Sequence, residues 1–96
     1  MASYQLTEAA QEDLDEIYEY SILTFGLRQA RDYLRGLHTS LNTLAENPRM
    51  GRDFSHVKEA ARRFEYVSHS VYYRVTDDGI LVLRVLHMRM DPGLHL

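Results

Sequence analysis

Residues 69–87 read HSVYYRVTDDGILVLRVLH, and this stretch decides the architecture. Val71, Tyr73 and Val75 alternate with Ser70, Tyr72 and Arg74, the two-residue period of a half-buried strand. Asp77-Asp78-Gly79 follows, where glycine and aspartate tolerate the positive φ of a tight hairpin. Ile80 to His87 is apolar on both faces apart from Arg84 and His87, as befits a strand that is central or covered. A third strand precedes the pair. Ala61 to Val67 sets Phe64 and Tyr66 on one face against Arg63 and Glu65 on the other. Short turns join all three, so they form an antiparallel meander.

Upstream the period changes. Ala10, Leu14, Ile17, Tyr18 and Ser21 keep a spacing of three to four, which predicts a helix over about 8–23. Thr7 is its N-cap, and Glu8, Glu12 and Asp13 suit the positive end of the helix. Phe25-Gly26 turns the chain. Ala30, Tyr33, Leu34, Leu37, Leu41 and Leu44 then predict a second helix over about 27–46. Gly36 within it costs about 1 kcal/mol relative to alanine, which points to a close helix contact. Asn47-Pro48 stops that helix, and residues 49–54 read as loop. Ser3 to Leu6 alternates but suffices only for an edge or opening strand, and Asp91-Pro92-Gly93 ends regular structure. The expected order is β-α-α-β-β-β: an α+β single domain over residues 1–96, with a helical hairpin on one face of a small antiparallel sheet.

Composition narrows the function classes. The chain has no cysteine, which removes disulfides and thiolate metal sites and suits a reducing cytoplasm. No apolar run is long enough for a membrane span, and no basic-then-apolar leader opens the sequence. The five histidines, His38, His56, His69, His87 and His95, lack metal-ligand spacing, and there is no Gly-rich phosphate loop or nucleophile elbow. Neither metal nor cofactor is expected. The net charge of −3 divides unevenly: residues 1–48 carry eight acids against three arginines, and residues 49–96 carry eight bases against six acids. Ten of the eleven bases are arginine, the residue suited to fixed bidentate contacts. The acids of the first helix are expected on a solvated arc.

The strand alternation also predicts a candidate surface. With Val71, Tyr73, Val75, Leu81, Leu83 and Val85 under the helices, the open face carries Arg63, Arg74 and Arg84 beside Tyr72, Val82 and Leu86. Arginines among exposed aromatic and aliphatic side chains suit a peptide or a phosphate backbone. The plainer alternative is ordinary surface pairing with Glu65, Asp77 and Asp78. His87 ends the last strand, and beyond it Arg89 and Asp91 are expected within reach of a large partner. His87 is either a group for acid–base chemistry or a structural histidine at a strand end.

Several segments together resemble the ParE toxins of the RelE/ParE toxin–antitoxin superfamily. They are Tyr4-x-Leu6 with Ala10, Asp13-Leu14-x-x-Ile17-x-x-Tyr20, Phe25-Gly26 with Gln29-Ala30, and Leu44-x-x-Asn47-Pro48-x-Met50-Gly51. Val71-Tyr72-Tyr73-Arg74, Asp78-Gly79-Ile80 and above all Arg84-Val85-Leu86-His87-x-Arg89-x-Asp91 complete the pattern over almost the whole chain. The resemblance implies a helical hairpin on a small antiparallel sheet. It also implies a non-enzymatic toxin that poisons DNA gyrase and is neutralised by a ParD-like antitoxin, with no direct nucleic-acid binding required. The partner-binding residues are then expected among Arg63, Tyr72, Arg74, Arg84, His87, Arg89 and Asp91. The superfamily's other branch cleaves messenger RNA on the ribosome. Aligned with that branch through Thr76-Asp77-Asp78, the chain has Ser70 in place of a phosphate-holding arginine, and Met88 and Arg89 in place of a catalytic His-Tyr pair. Methionine transfers no proton and arginine stays protonated, so that mechanism is not expected here.

Overall fold

The computed structural model describes residues 2–96. Strand β1 (Ser3–Leu6) leads into helices α1 (Glu8–Phe25) and α2 (Leu27–Glu46). Strands β2 (Arg52–Asp53), β3 (Arg62–Tyr66), β4 (His69–Thr76) and β5 (Gly79–His87) follow, then a single turn of helix, α3 (Pro92–His95). The sheet order is β1-β5-β4-β3-β2, with β3, β4 and β5 antiparallel as expected. β1 pairs in parallel with β5, Ser3 opposite Gly79 and Leu6 opposite Val82. The expected order holds, and β2 and α3 are additions too short to leave a periodic signal. No helix among the described residues is long and apolar enough to cross a membrane.

Each helix starts and stops for a local reason. Thr7 caps α1 by accepting the Ala10 N–H at 3.1 Å. Gly26, at φ 92°, lets the chain leave α1 and enter α2 with no intervening loop. The two apolar stripes meet over one sheet face, where Ala10, Leu14, Ile17, Leu37, Leu41 and Leu44 pack on Val71, Tyr73, Ile80, Val82 and Val85. Phe64 and Tyr66 join that core from β3. The close approach expected at Gly36 is real, but its partner is the sheet: a methyl there would land on the Tyr66 hydroxyl.

A β-bulge corrects the predicted faces of β5. Tyr72 lies opposite Arg84 and Tyr73 opposite Val82, so Leu83 is the unpaired extra residue. The inserted residue reverses the alternation on one side of it. Ile80 and Val82 therefore share the helix face with Val85, while Leu83 packs on the other side with Tyr72 and Leu86. Val82, expected outside, is fully buried under the helices. Val75, expected in the core, is half exposed near the hairpin end.

The second face is not open either. The segment from Phe54 to Ala61 folds onto it, closed by the Phe54 N–H to the Ala61 carbonyl at 2.9 Å and the Ala61 N–H to the Lys58 carbonyl at 2.9 Å. Phe54, Ala61, Tyr72 and Leu86 form a second small core there, with Leu83 and Leu96 at its margin. The Phe54 and Tyr72 ring centroids are 5.2 Å apart. The loop before it is pinned by Tyr73, which donates to the Pro48 carbonyl at 2.7 Å and accepts the Gly51 N–H at 2.9 Å.

Gly79 carries two requirements at once. Its φ is 149°, and a methyl there would strike the Ser3 backbone, whose N–H bonds to the Asp78 carbonyl at 2.8 Å. Gly26 has a positive φ but open space around it. Gly26→Ala should therefore lose about 1 kcal/mol from backbone strain alone, whereas Gly79→Ala must also displace β1 and should lose roughly 3 kcal/mol or more. Denaturant unfolding of the two variants checks this; equal losses would mean that β1 does not depend on the contact.

Candidate functional site

β1 is short, and that leaves part of β5 without a neighbour. Past Val82 the outward-facing polar groups of β5 must find partners outside the ladder. Thr7 supplies two of them: its N–H bonds to the Val82 carbonyl at 3.0 Å and its hydroxyl donates to the Leu83 carbonyl at 2.8 Å. Asp13 supplies the next, accepting the Val85 N–H at 3.0 Å. The same carboxylate takes the Nε and Nη2 of Arg84 at 2.7 and 2.8 Å, a bidentate pair. Asp13 is only 8% exposed, so it leaves the solvated arc on which the acids of α1 are expected. Its signal is nonetheless in the sequence: it lies three residues after Ala10 and four before Ile17, on the apolar stripe.

The Arg84 guanidinium is correspondingly committed. Its Nη1 donates to the His95 carbonyl at 3.1 Å, tying α3 to the same centre. Hydrogen bonding to Asp13 raises its pKa above the ordinary arginine value, against an opposing effect of desolvation.

At the far ends of β4 and β5, His69 and His87 face each other with ring centroids 5.4 Å apart. The Tyr33 hydroxyl lies 2.7 Å from His69 Nδ1, linking α2 to the sheet. Burial, and secondarily the proximity of His87, lowers the His69 pKa from 6.5 to about 4, with Asp13 opposing. His87 accepts the Arg89 N–H on Nδ1 at 3.1 Å, shaping the turn that leaves β5. These residues border a groove of about 440 Å³ between α1 and the end of β5, with Ile17, Tyr20, Val85 and Met90 among its walls. Past Tyr20 and His87 it continues into a hollow of about 280 Å³ walled by Phe25, Tyr33 and Val67. No group of three or more histidine, cysteine or acidic residues among the described residues is placed to hold a metal ion.

The residues expected to form one surface are divided. Tyr72 is 2% exposed and is core, because Phe54 covers it. Arg63 lies partly buried over the Phe54 and Tyr72 rings, 5.8 and 5.9 Å from their centroids, and bonds Ser70 Oγ at 3.2 Å. Arg74 donates to the Glu59 carbonyl at 3.0 Å and so holds the covering segment. Asp91 caps α3 by accepting the Gly93 N–H at 2.9 Å. His87 and Arg89 are exposed, and the Arg89 guanidinium forms no ion pair or hydrogen bond among the described residues. Sequence reasoning missed Tyr20 and His69, which the fold brings to the groove with His87.

Residues 4–92 match the family model described as the ParE toxin of type II toxin-antitoxin system, parDE. The chain belongs to the ParE toxin family. It is 42% identical over 94 residues to Toxin ParE1 of Mycobacterium tuberculosis, covering 97% of this chain and 96% of that protein. Toxin ParE1 of Caulobacter vibrioides is 38% identical over 96 residues, covering 100% of this chain and 99% of the relative. A solved chain described as the chromosomal ParDE TA system from P. aeruginosa superposes with a TM-score of 0.74 at 25% identity, covering 91% of this chain and 96% of that one. The protein is thus a ParE-type toxin of a type II toxin–antitoxin system, as its sequence resemblance implies. ParE toxins pair with ParD-type antitoxins.

Two measurements probe the site's construction. Asp13→Ala leaves a guanidinium and a strand N–H without their acceptor, and should lower stability by about 3 kcal/mol. A double-mutant cycle with Arg84→Ala should return a coupling of about 1 kcal/mol or more; a coupling near zero would mean that the pair is incidental. His69 titrates near 6.5 when unfolded and near 4 when folded, so the unfolded chain binds its proton first as pH falls. Its contribution is complete above about pH 6.5 and is lost through the window down to about 4. His69→Gln should flatten stability across that window, as thermal melts between these limits would record.

Proposed function

We propose that this protein arrests growth by binding DNA gyrase, making and breaking no covalent bond, and that a ParD-like antitoxin encoded beside it holds it inactive. Family membership supports a toxin paired with an antitoxin. The observation that carries the finer reading is the turn after β5. There Met88 and Arg89 are exposed, in the positions where the ribonuclease branch needs a proton-transferring pair. A thioether and a permanent cation suit recognition better than proton transfer. Arg84 and Asp91 are occupied by the fold, which leaves Arg89 as the accessible cation of the group. A toxin acting by binding alone works by preferring one conformational state of its target, so its effect is bounded by that differential affinity.

Arg89→Ala should cost no more than about 0.5 kcal/mol of stability, as surface changes usually do, and should weaken growth inhibition on expression without antitoxin. Circular dichroism establishes that the variant is folded; undiminished killing by a folded variant would remove Arg89 from the toxic surface. The wild-type protein should leave ribosome-bound messenger RNA uncut. Codon-specific cleavage that disappears in His87→Ala would replace the gyrase reading with the ribonuclease one.

A further inference from the structure

We infer that one end of the fold, where the α1–α2 corner, the β3–β4 turn and the exit from β5 meet, grips the toxin's protein target. Phe25 and Val67 are its apolar anchors, and Arg28 and Arg89 meet carboxylates of an acidic patch on the target. This rests on the proposed toxin reading and assigns the target a place and a charge.

Three chain reversals bring these residues together. Phe25 ends α1, Val67 sits in the β3–β4 turn, and both wall the hollow of about 280 Å³ that Gln29 and His87 also line. Arg28 precedes Gln29 in the chain, and the Arg89 N–H bonds to His87 Nδ1, so each cation leaves the chain beside one wall of that hollow.

Each reversal breaks a local rule without a return inside the fold. Val67 has φ 48°, a conformation that a β-branched residue adopts only under strain and that asparagine or glycine adopts readily. Its side chain is 71% exposed and belongs to neither core, so no packing offsets the strain. At the corner Leu23, Phe25 and Leu27 are all exposed, and none joins a core. Single exposed apolar residues are ordinary, but a contiguous group beside a strained valine has the composition of a binding surface. Arg28 is misplaced electrostatically. It lies in the first turn of α2, at the positive end of the helix, and that turn has neither an acid nor a side-chain cap. Local rules broken together at one end of a fold mark a functional surface.

The sign of the partner follows from the cations. Neither Arg28 nor Arg89 has an ion-pair partner within 4.0 Å among the described residues. The acids nearest to them in sequence are engaged elsewhere, Asp32 with Arg35 and Asp91 as the cap of α3. Glu19, the last acid of α1, is exposed and absent from the walls of the hollow. Carboxylates around an apolar centre satisfy both arginines and relieve the charge at the start of α2. A phosphate backbone would satisfy the arginines but set Phe25 and Val67 against polar sugar and phosphate, which favours a protein as the occupant.

Two substitutions test this surface because both improve the free fold. Val67→Asn relieves the backbone, and Arg28→Glu puts an acid at the positive end of α2, so each should raise the melting temperature by about 2 °C or more. Each should nonetheless weaken growth inhibition on expression without antitoxin. The double variant should need about tenfold more protein than wild type to trap cleaved plasmid with purified DNA gyrase. The antitoxin encoded beside the toxin gene should bind Arg28→Glu within about twofold of wild type. A double variant that is more stable and inhibits growth as strongly as wild type overturns the inference and leaves the toxin reading standing. Lost antitoxin binding with undiminished growth inhibition overturns it as well, since the hollow would then belong to the antitoxin. If the wild type inhibits growth but traps no gyrase cleavage, the gyrase reading fails and growth inhibition by the variants still decides this surface. A wild type that does not inhibit growth defeats the toxin reading, and this inference with it.

Discussion

Beyond Val82 the longest strand of the sheet runs on without a neighbour along one side, and its amides and carbonyls need partners in a place where burial would make their absence costly. The first residue after β1 and one carboxylate of α1 provide them. Much of the molecule follows from that solution. A carboxylate brought to the strand edge fixes how α1 lies over the sheet, and once there it needs a cation, which Arg84 supplies. The same guanidinium reaches the His95 carbonyl, so the C-terminal turn is organised by a charge whose primary partner is 71 residues earlier in the chain.

This changes how the arginine-rich second half is understood. An excess of arginine on β-strands suggests a basic surface, but most of these guanidinium groups are turned inward or along the surface. Arg62 donates to the Gly51 carbonyl, Arg74 to the Glu59 carbonyl, Arg63 to Ser70 Oγ and Arg84 to Asp13. They hold loops and edges in place. Five donors in a fixed fork allow one side chain to serve two or three acceptors, which a lysine would not do with the same geometry.

The element order was legible because it depends on local signals: two apolar stripes at helical spacing, Thr7 at an N-cap, Asn47-Pro48 at a helix end, and Asp77-Asp78-Gly79 between alternating runs. The faces of β5 were not legible. Ile80 to Leu86 is apolar at every position but one, so no alternation marks where the phase changes at Leu83. That single insertion moved Val82 into the core. Tyr72 keeps its expected face but is covered by Phe54, whose segment reads as mere loop because backbone hydrogen bonds close it. The candidate site suffered accordingly. Arg89 could be placed outside from the Pro-Gly terminator downstream, whereas the roles of Arg63, Arg74 and Arg84 depend on contacts many residues away that no spacing encodes.

The parallel pairing of β1 with β5 has a bearing on how the protein comes into being. Ser3 finds its place only against Gly79, and Asp13 only against Arg84 and Val85, so the first strand and the first helix wait for nearly the last. Long-range closure of this kind is slow, because loop entropy is lost before the contacts return it. A helical hairpin made before β5 lacks the sheet face that its apolar stripes cover in the finished fold. The groups that fix the N-terminal third of the fold are therefore among the last that the ribosome makes.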